Sequence, residues 1–219
     1  MLRSQLAALA AIYVLSASVQ AATISFNIDG DRLRTSGGAL IPSGSLVLLI
    51  ASSTNGSFTS PLVANGSNST ALGSSGSFLS GDEIVLFRGA SSNGFAQFST
   101  GGIEQSLFPN WSLGDPLALV WFPTLTLASP TTLTAGTTYG FYTNASAIDG
   151  SNAWTTPGAP ASSVPLAFYT TDGTDLGPGT NPVSAANASQ TVAAPEPTSA
   201  LLLSVGLLSL ASRRRRQMK

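Results

Sequence analysis

Between Ala22 and Ala194 no stretch sustains the helical apolar period of about 3.6 residues. Apolar and β-branched residues gather instead in runs of seven or eight, each fenced by glycine, proline, serine or asparagine. "TISFNID" alternates Ile24, Phe26 and Ile28 with polar residues, which predicts a half-buried strand. "SLVLLIAS" (Ser45 to Ser52) is apolar almost throughout, as in a buried strand. "DEIVLFRG", "GFAQFST", "PLALVWF", "TTYGFYTN" and "VPLAFYT" follow, and each carries the composition of a strand between turns. Gly81-Asp82 and Gly114-Asp115 each sit just ahead of such a run. Glycine supplies positive φ and aspartate bonds its local backbone, so both pairs read as entries from turn to strand. The fold class expected is all-β, a single β-sandwich or jelly-roll domain over residues 22–180. Ser52 to Ser77 reads as a long loop or a pair of weak edge strands. "NPVSAANASQTVAA" holds no large apolar residue, and residues 181–194 read as a linker.

Charge is sparse and unevenly placed. Arg3 opens the chain, and Arg213, Arg214, Arg215, Arg216 and Lys219 close it. Only Arg32, Arg34 and Arg88 stand between; set against the nine acidic residues other than Glu196, they leave the body at −6. An acidic body without a basic patch has no footprint for nucleic acid. The chain has no cysteine and no histidine, and its only lysine is Lys219. Ser-His-Asp, Cys-His and Ser-Lys catalysis are therefore excluded, as are the usual zinc sites. The acids Asp82, Glu83, Glu104, Asp115 and Asp149 leave paired-carboxylate chemistry formally open. Most of them flank glycine and read as turn formers, so no catalytic residue, metal ligand or cofactor is expected. Asn27, Asp29 and Asp31, and separately Asp172 and Asp175, offer clustered oxygens. At the twelfth loop position, where calcium loops carry glutamate, stand Gly38 and Val183, and turn chemistry explains both segments.

The two ends carry the strongest signals. "MLRSQLAALAAIYVLSASVQAA" has a basic start, an apolar run from Leu6 to Leu15, and Val19 and Ala21 at the −3 and −1 positions of a cleavage site. Residues 1–21 read as a cleaved secretory signal peptide, with the mature chain starting at Ala22 outside the cytoplasmic membrane. At the other end Pro195-Glu196-Pro197 precedes "ALLLSVGLLSLA" (Ala200 to Ala211), which precedes Arg213 to Arg216. The prolines hold their neighbours extended. The apolar segment reads as a short transmembrane helix, and the arginines fix its end on the cytoplasmic side.

In that order and at that spacing, residues 195–219 resemble the PEP-CTERM sorting signal of bacterial exported proteins. The resemblance implies recognition of Pro195, Glu196 and Pro197 by an exosortase after passage through the secretion machinery. It implies a transient membrane anchor with the body outside, then delivery to the cell surface or to an extracellular matrix rich in exopolysaccharide. The body resembles an exported β domain found ahead of this signal in Verrucomicrobia and Planctomycetes. Gly81-Asp82, Gly114-Asp115, Val120-Trp121-Phe122, Tyr139-Gly140-Phe141 and Trp154 carry that likeness, which implies no activity. Three roles are weighed for the body, and the first is the one expected. The first is a non-enzymatic surface or matrix protein. The second is a carbohydrate-binding module with Trp111 and Trp154, which stand in loop-like sequence, as candidate sugar contacts. The third is a surface enzyme acting on glycosides.

Overall fold

The computed structural model describes residues 23–54, 56–58, 62, 79, 82–108, 110–129, 133–147, 152–168 and 188–192. The expected signal peptide, transmembrane helix, sorting motif and arginine cluster lie outside them. The described chain is all-β. Its strands are β1 (Thr23–Gly30), β2 (Ser45–Ser52), β3 (Glu83–Ala90), β4 (Ala96–Glu104), β5 (Leu117–Thr126), β6 (Thr138–Tyr142), β7 (Ala161–Phe168) and β8 (Gln190–Thr191), with a 3-10 turn at Gln105–Leu107. They form a three-stranded sheet, β4-β1-β7, and a five-stranded sheet, β3-β2-β5-β6-β8. Every strand-like run in the sequence became a strand. The strand order differs from that of a jelly roll, because β1 pairs with β7 in parallel.

The two sheets share one core. Ile24, Phe26 and Ile28 of β1 and Val164 and Leu166 of β7 meet Val47, Leu49 and Ala51 of β2 and Leu119 and Trp121 of β5. The opposite face of the five-stranded sheet is also covered. Leu46, Leu48, Ile50, Val120 and Phe122 pack there with Leu62, Leu79, Leu133, Tyr139 and Val192. This explains the sequence of β2, which is buried at every position, whereas β1 alternates. A strand with a core on each face has no side chain to spend on water. The Tyr139 hydroxyl accepts the Leu62 N–H at 2.8 Å, which ties the covering segment to the sheet. Burial raises the pKa of that phenol, and the charge of Glu83 adds to the shift.

Two prolines sit where a ladder tolerates them. Pro165 lies on β7, at the edge of its sheet, and Pro123 lies where the β2–β5 register slips between Ser45 and Leu46. Asn93 and Gly94 both take positive φ, at 49° and 84°, between two mutual Ser92–Phe95 hydrogen bonds. That Asn-Gly turn carries the chain from one sheet to the other. Gly140 stands opposite Trp121 in the β5–β6 register. A Cβ at Gly140 would fall inside the indole, on Cε2 and Cζ2, so the ring occupies the space that any other residue would fill.

The linker expected over residues 181–194 needs correction at its C-terminal part. Gln190 and Thr191 pair with Tyr139 and Thr138. The Val192 N–H donates to Thr137 O and the Gly136 N–H donates to Val192 O, both at 2.9 Å. The Ala188 N–H donates to Arg34 O at 2.9 Å, and Ala188 and Val192 are both buried. A two-residue strand is too short to show a period, and Ala188 is small enough to fill a gap without an apolar signature. The folded body therefore runs to Val192. A chain ending at Val192 should melt cooperatively by circular dichroism. One ending at Thr180 should be less stable by about 3 kcal/mol, from two apolar side chains and a few hydrogen bonds. For a domain of this size that is on the order of 10 °C in melting temperature. Equal melting temperatures would return residues 188–192 to the linker.

Candidate functional site

The two tryptophans proposed as sugar contacts are core residues. Trp111 is 2% exposed and Trp154 is 1% exposed. The Trp111 ring stands edge-on to Phe108 at 5.7 Å and tilted against Phe26 at 6.5 Å, and its Nε1–H donates to Thr156 Oγ1 at 2.7 Å. Trp154 stands edge-on to Tyr142 at 5.3 Å, and its Nε1–H donates to Ala167 O at 3.3 Å. Their loops fold across the core and carry the indoles inward, so neither offers a ring face to a sugar.

Four of the described acids, Asp29, Asp82, Glu104 and Asp115, accept hydrogen bonds from backbone N–H groups or polar side chains. The Asp115 carboxylate accepts the Ser112 N–H at 2.7 Å, and Gly114 beside it has φ 86°. Burial raises the pKa of Asp115; the Ser112 N–H opposes that shift, and the nearby charge of Asp82 adds to it. Asp82 accepts the Thr54 N–H at 2.8 Å and the Ser52 hydroxyl at 3.5 Å. Asp115 thus bonds backbone three residues away at its strand entry, whereas Asp82 bonds the Thr54 N–H just past the end of the neighbouring strand β2. Glu104 accepts the Ser106 hydroxyl at 2.7 Å. Glu83 is fully buried on β3. Asn27 donates to Ser163 Oγ at 2.8 Å, and Asp29 accepts from Gln97 at 2.9 Å, each across a strand pair. Among the described residues no three acids gather around a point that could hold a metal ion. Asp149, Asp172 and Asp175 lie outside the described residues.

A shallow cavity of about 290 Å³ opens between β3 and β4, one edge strand of each sheet. Leu86, Phe87, Ile103, Leu107, Phe108 and Glu104 line it. Phe87 is stacked on Phe98 at 4.9 Å, which leaves it little freedom to stack on a ligand. One carboxylate in an apolar groove lacks the second acid that glycoside hydrolysis uses.

The feature with the clearest functional bearing is the place where the chain leaves the body. Val192 is 3% exposed and hydrogen-bonded on both sides. Sequence reasoning missed this anchor; its only mark was one valine in a run of small residues. Residues 193–216, directly after it, match a family model described as the PEP-CTERM protein-sorting motif. Pro195, Glu196, Pro197 and Arg213 to Arg216 all fall within the matched segment. No curated protein and no solved structure matches the chain.

Proposed function

We infer that this chain, which carries a PEP-CTERM sorting motif, is an exported protein that an exosortase processes at the membrane and that ends as a non-enzymatic component of the cell surface or extracellular matrix. The observation that carries this reading is the match over residues 193–216, set directly after a body that ends at Val192. Pro195 follows Val192, the last described residue, by three residues. The non-enzymatic part draws support from the chain's lack of histidine and cysteine and from the described acids being engaged in turns and strand contacts. The inferred partners are the secretion machinery, the exosortase and the membrane, with exopolysaccharide as the matrix the body would join.

The test is fractionation in a bacterial host that carries an exosortase and in the same host with that enzyme deleted. An antibody against the body should find a trimmed form at the surface or in the matrix of the first host. In the second it should find only a longer, membrane-held form. The same mass and distribution in both hosts would overturn the reading.

A further inference from the structure

The two sheets end in four edge strands, β3 and β8 on the larger and β4 and β7 on the smaller. An edge leaves a row of backbone N–H and C=O groups that invites another strand, so folded chains cover or interrupt it. β7 carries Pro165, whose carbonyl accepts the Asn152 N–H at 2.8 Å, and the Ala167 carbonyl accepts the Trp154 Nε1–H. β3 holds two charges, Glu83 and Arg88, and the Glu83 carbonyl accepts the Leu79 N–H at 2.8 Å. β8 is two residues long. β4, at nine residues, has no proline and one charge, Glu104, at its last position.

The pairing with β1 decides which groups of β4 point outward. The Phe26 N–H is directed at β4, where Thr100 Oγ1 accepts it at 3.0 Å. Backbone groups alternate along a strand, so Ile24, Ile28 and Gly30 also face β4, and their partners Ile103, Phe98 and Ala96 face back. The N–H and C=O of Gln97, Ser99 and Gly102 therefore point away from the sheet, as does the Glu104 N–H. Gln97, Ser99 and Gly102 are exposed, and among the described residues no hydrogen bond takes up these outward groups.

Their spacing lets β4 fit a second β4. In an antiparallel pair with a two-fold axis between Thr100 and Gly101, Ser99 stands opposite Gly102 of the other copy and Gln97 opposite Glu104, and each relation occurs twice. The β1–β4 register slips at this point, between Ser99 and Gly102, so both copies carry the irregularity at the axis and stay in step on either side. Opposite residues share a face of the sheet. The lone charge of the edge thus meets an amide and not its own equivalent. One N–H of the Gln97 amide donates to Asp29 at 2.9 Å, and the second can reach Glu104 of the other copy.

We propose that β4 is a self-association edge, through which two copies of this chain join their three-stranded sheets into one six-stranded sheet. A single strand pair is a small interface of the transient kind, so the dimer should form at roughly 100 μM rather than at nanomolar concentration.

The chain has no cysteine, so introduced cysteines report without background. Full chains carrying Gln97→Cys and full chains carrying Glu104→Cys would be purified in mild detergent, mixed at that concentration and oxidised. Directly opposite residues lie about 5.5 Å apart, within the reach of a disulfide. Each cysteine is roughly 20 Å from its own equivalent in the other copy. The mixture should therefore give severalfold more disulfide-linked dimer than either chain oxidised alone. Adding Ser99→Pro to both chains should remove that excess. The Ser99 N–H points outward, so proline there costs β4 no bond to β1. A mixture that cross-links no better than the separate chains overturns the pairing, whether the edge takes a strand of another protein or none. A Ser99→Pro mixture that melts like its parent and cross-links as well also overturns it. Should the proline unfold the body, the excess in the first mixture alone decides.

Discussion

Replacing Gly140 with alanine should destabilise the body by about 3 kcal/mol or more, at the upper end of what overpacking a core costs. The methyl group would occupy the space of the Trp121 ring. That ring cannot step aside: it is 1% exposed, packed in the shared core, and held by its Nε1–H on Arg34 O at 3.2 Å. The same Arg34 carbonyl accepts the Ala188 N–H, so moving the indole also disturbs the segment that leads into β8. Urea denaturation of the chain ending at Val192 measures the loss. Gly158→Ala is the control, because a Cβ there meets open space and the cost should be within about 0.5 kcal/mol. Trp121→Leu should cost about 3–5 kcal/mol alone, but much less in the Gly140→Ala background, where the methyl has already displaced the ring. Strict additivity of the two substitutions would mean that the ring and Gly140 do not share that space.

In the tail, Glu196→Ala should leave a membrane-held precursor of full tail length with unchanged topology. Replacing Arg213 to Arg216 with serine should act on a different step. Each arginine resists passage through hydrocarbon by about 2.5–3.5 kcal/mol on insertion scales, so four of them make a firm stop. Without them the twelve-residue apolar segment, which as a helix would span roughly 18 Å, has little to hold it against a hydrocarbon core of about 30 Å. The serine chain should slip through or insert poorly, so that chain with an untrimmed tail leaves the membrane fraction instead of accumulating in it. Mass spectrometry of surface-released and membrane fractions, in a host with an exosortase, separates the two outcomes. Trimming and release of Glu196→Ala at the parental level would reduce Pro195-Glu196-Pro197 to a spacer.

The sequence showed the fold class because strand composition and turn residues are local. "SLVLLIAS" could be read as buried, and became β2, but its neighbours could not be read, since pairing partners are set by contacts far apart in the chain. The parallel β1–β7 pair left no local trace for the same reason. The Asn93-Gly94 turn was open to reading, as this dipeptide between apolar runs is a strong turn signal. Loop-like sequence around Trp111 and Trp154 left two outcomes open, a ring offered at the surface or one packed under its loop; residue type does not separate them, and the loops fold over the core. The sorting segment was legible because its prolines and glutamate, apolar run and arginines stand together as local sequence. The anchoring of Val192 was not, since two backbone hydrogen bonds leave no mark on residue type.

On the export route proposed above, the β1–β7 pair also orders the folding of the body. β1 is the first strand of the body to emerge and β7 is nearly the last, so β1 has only β4 beside it until residues 161–168 have crossed the membrane. Arg34 waits longer still, until Ala188 arrives. Pairings between distant parts of a chain form slowly, because a long loop must close before any contact rewards it. The chain thus remains unfinished, and threadable, through most of its translocation. On the proposed route its last pairings, at residues 161–168 and 188–192, can form only after those residues have crossed, just ahead of the sorting segment.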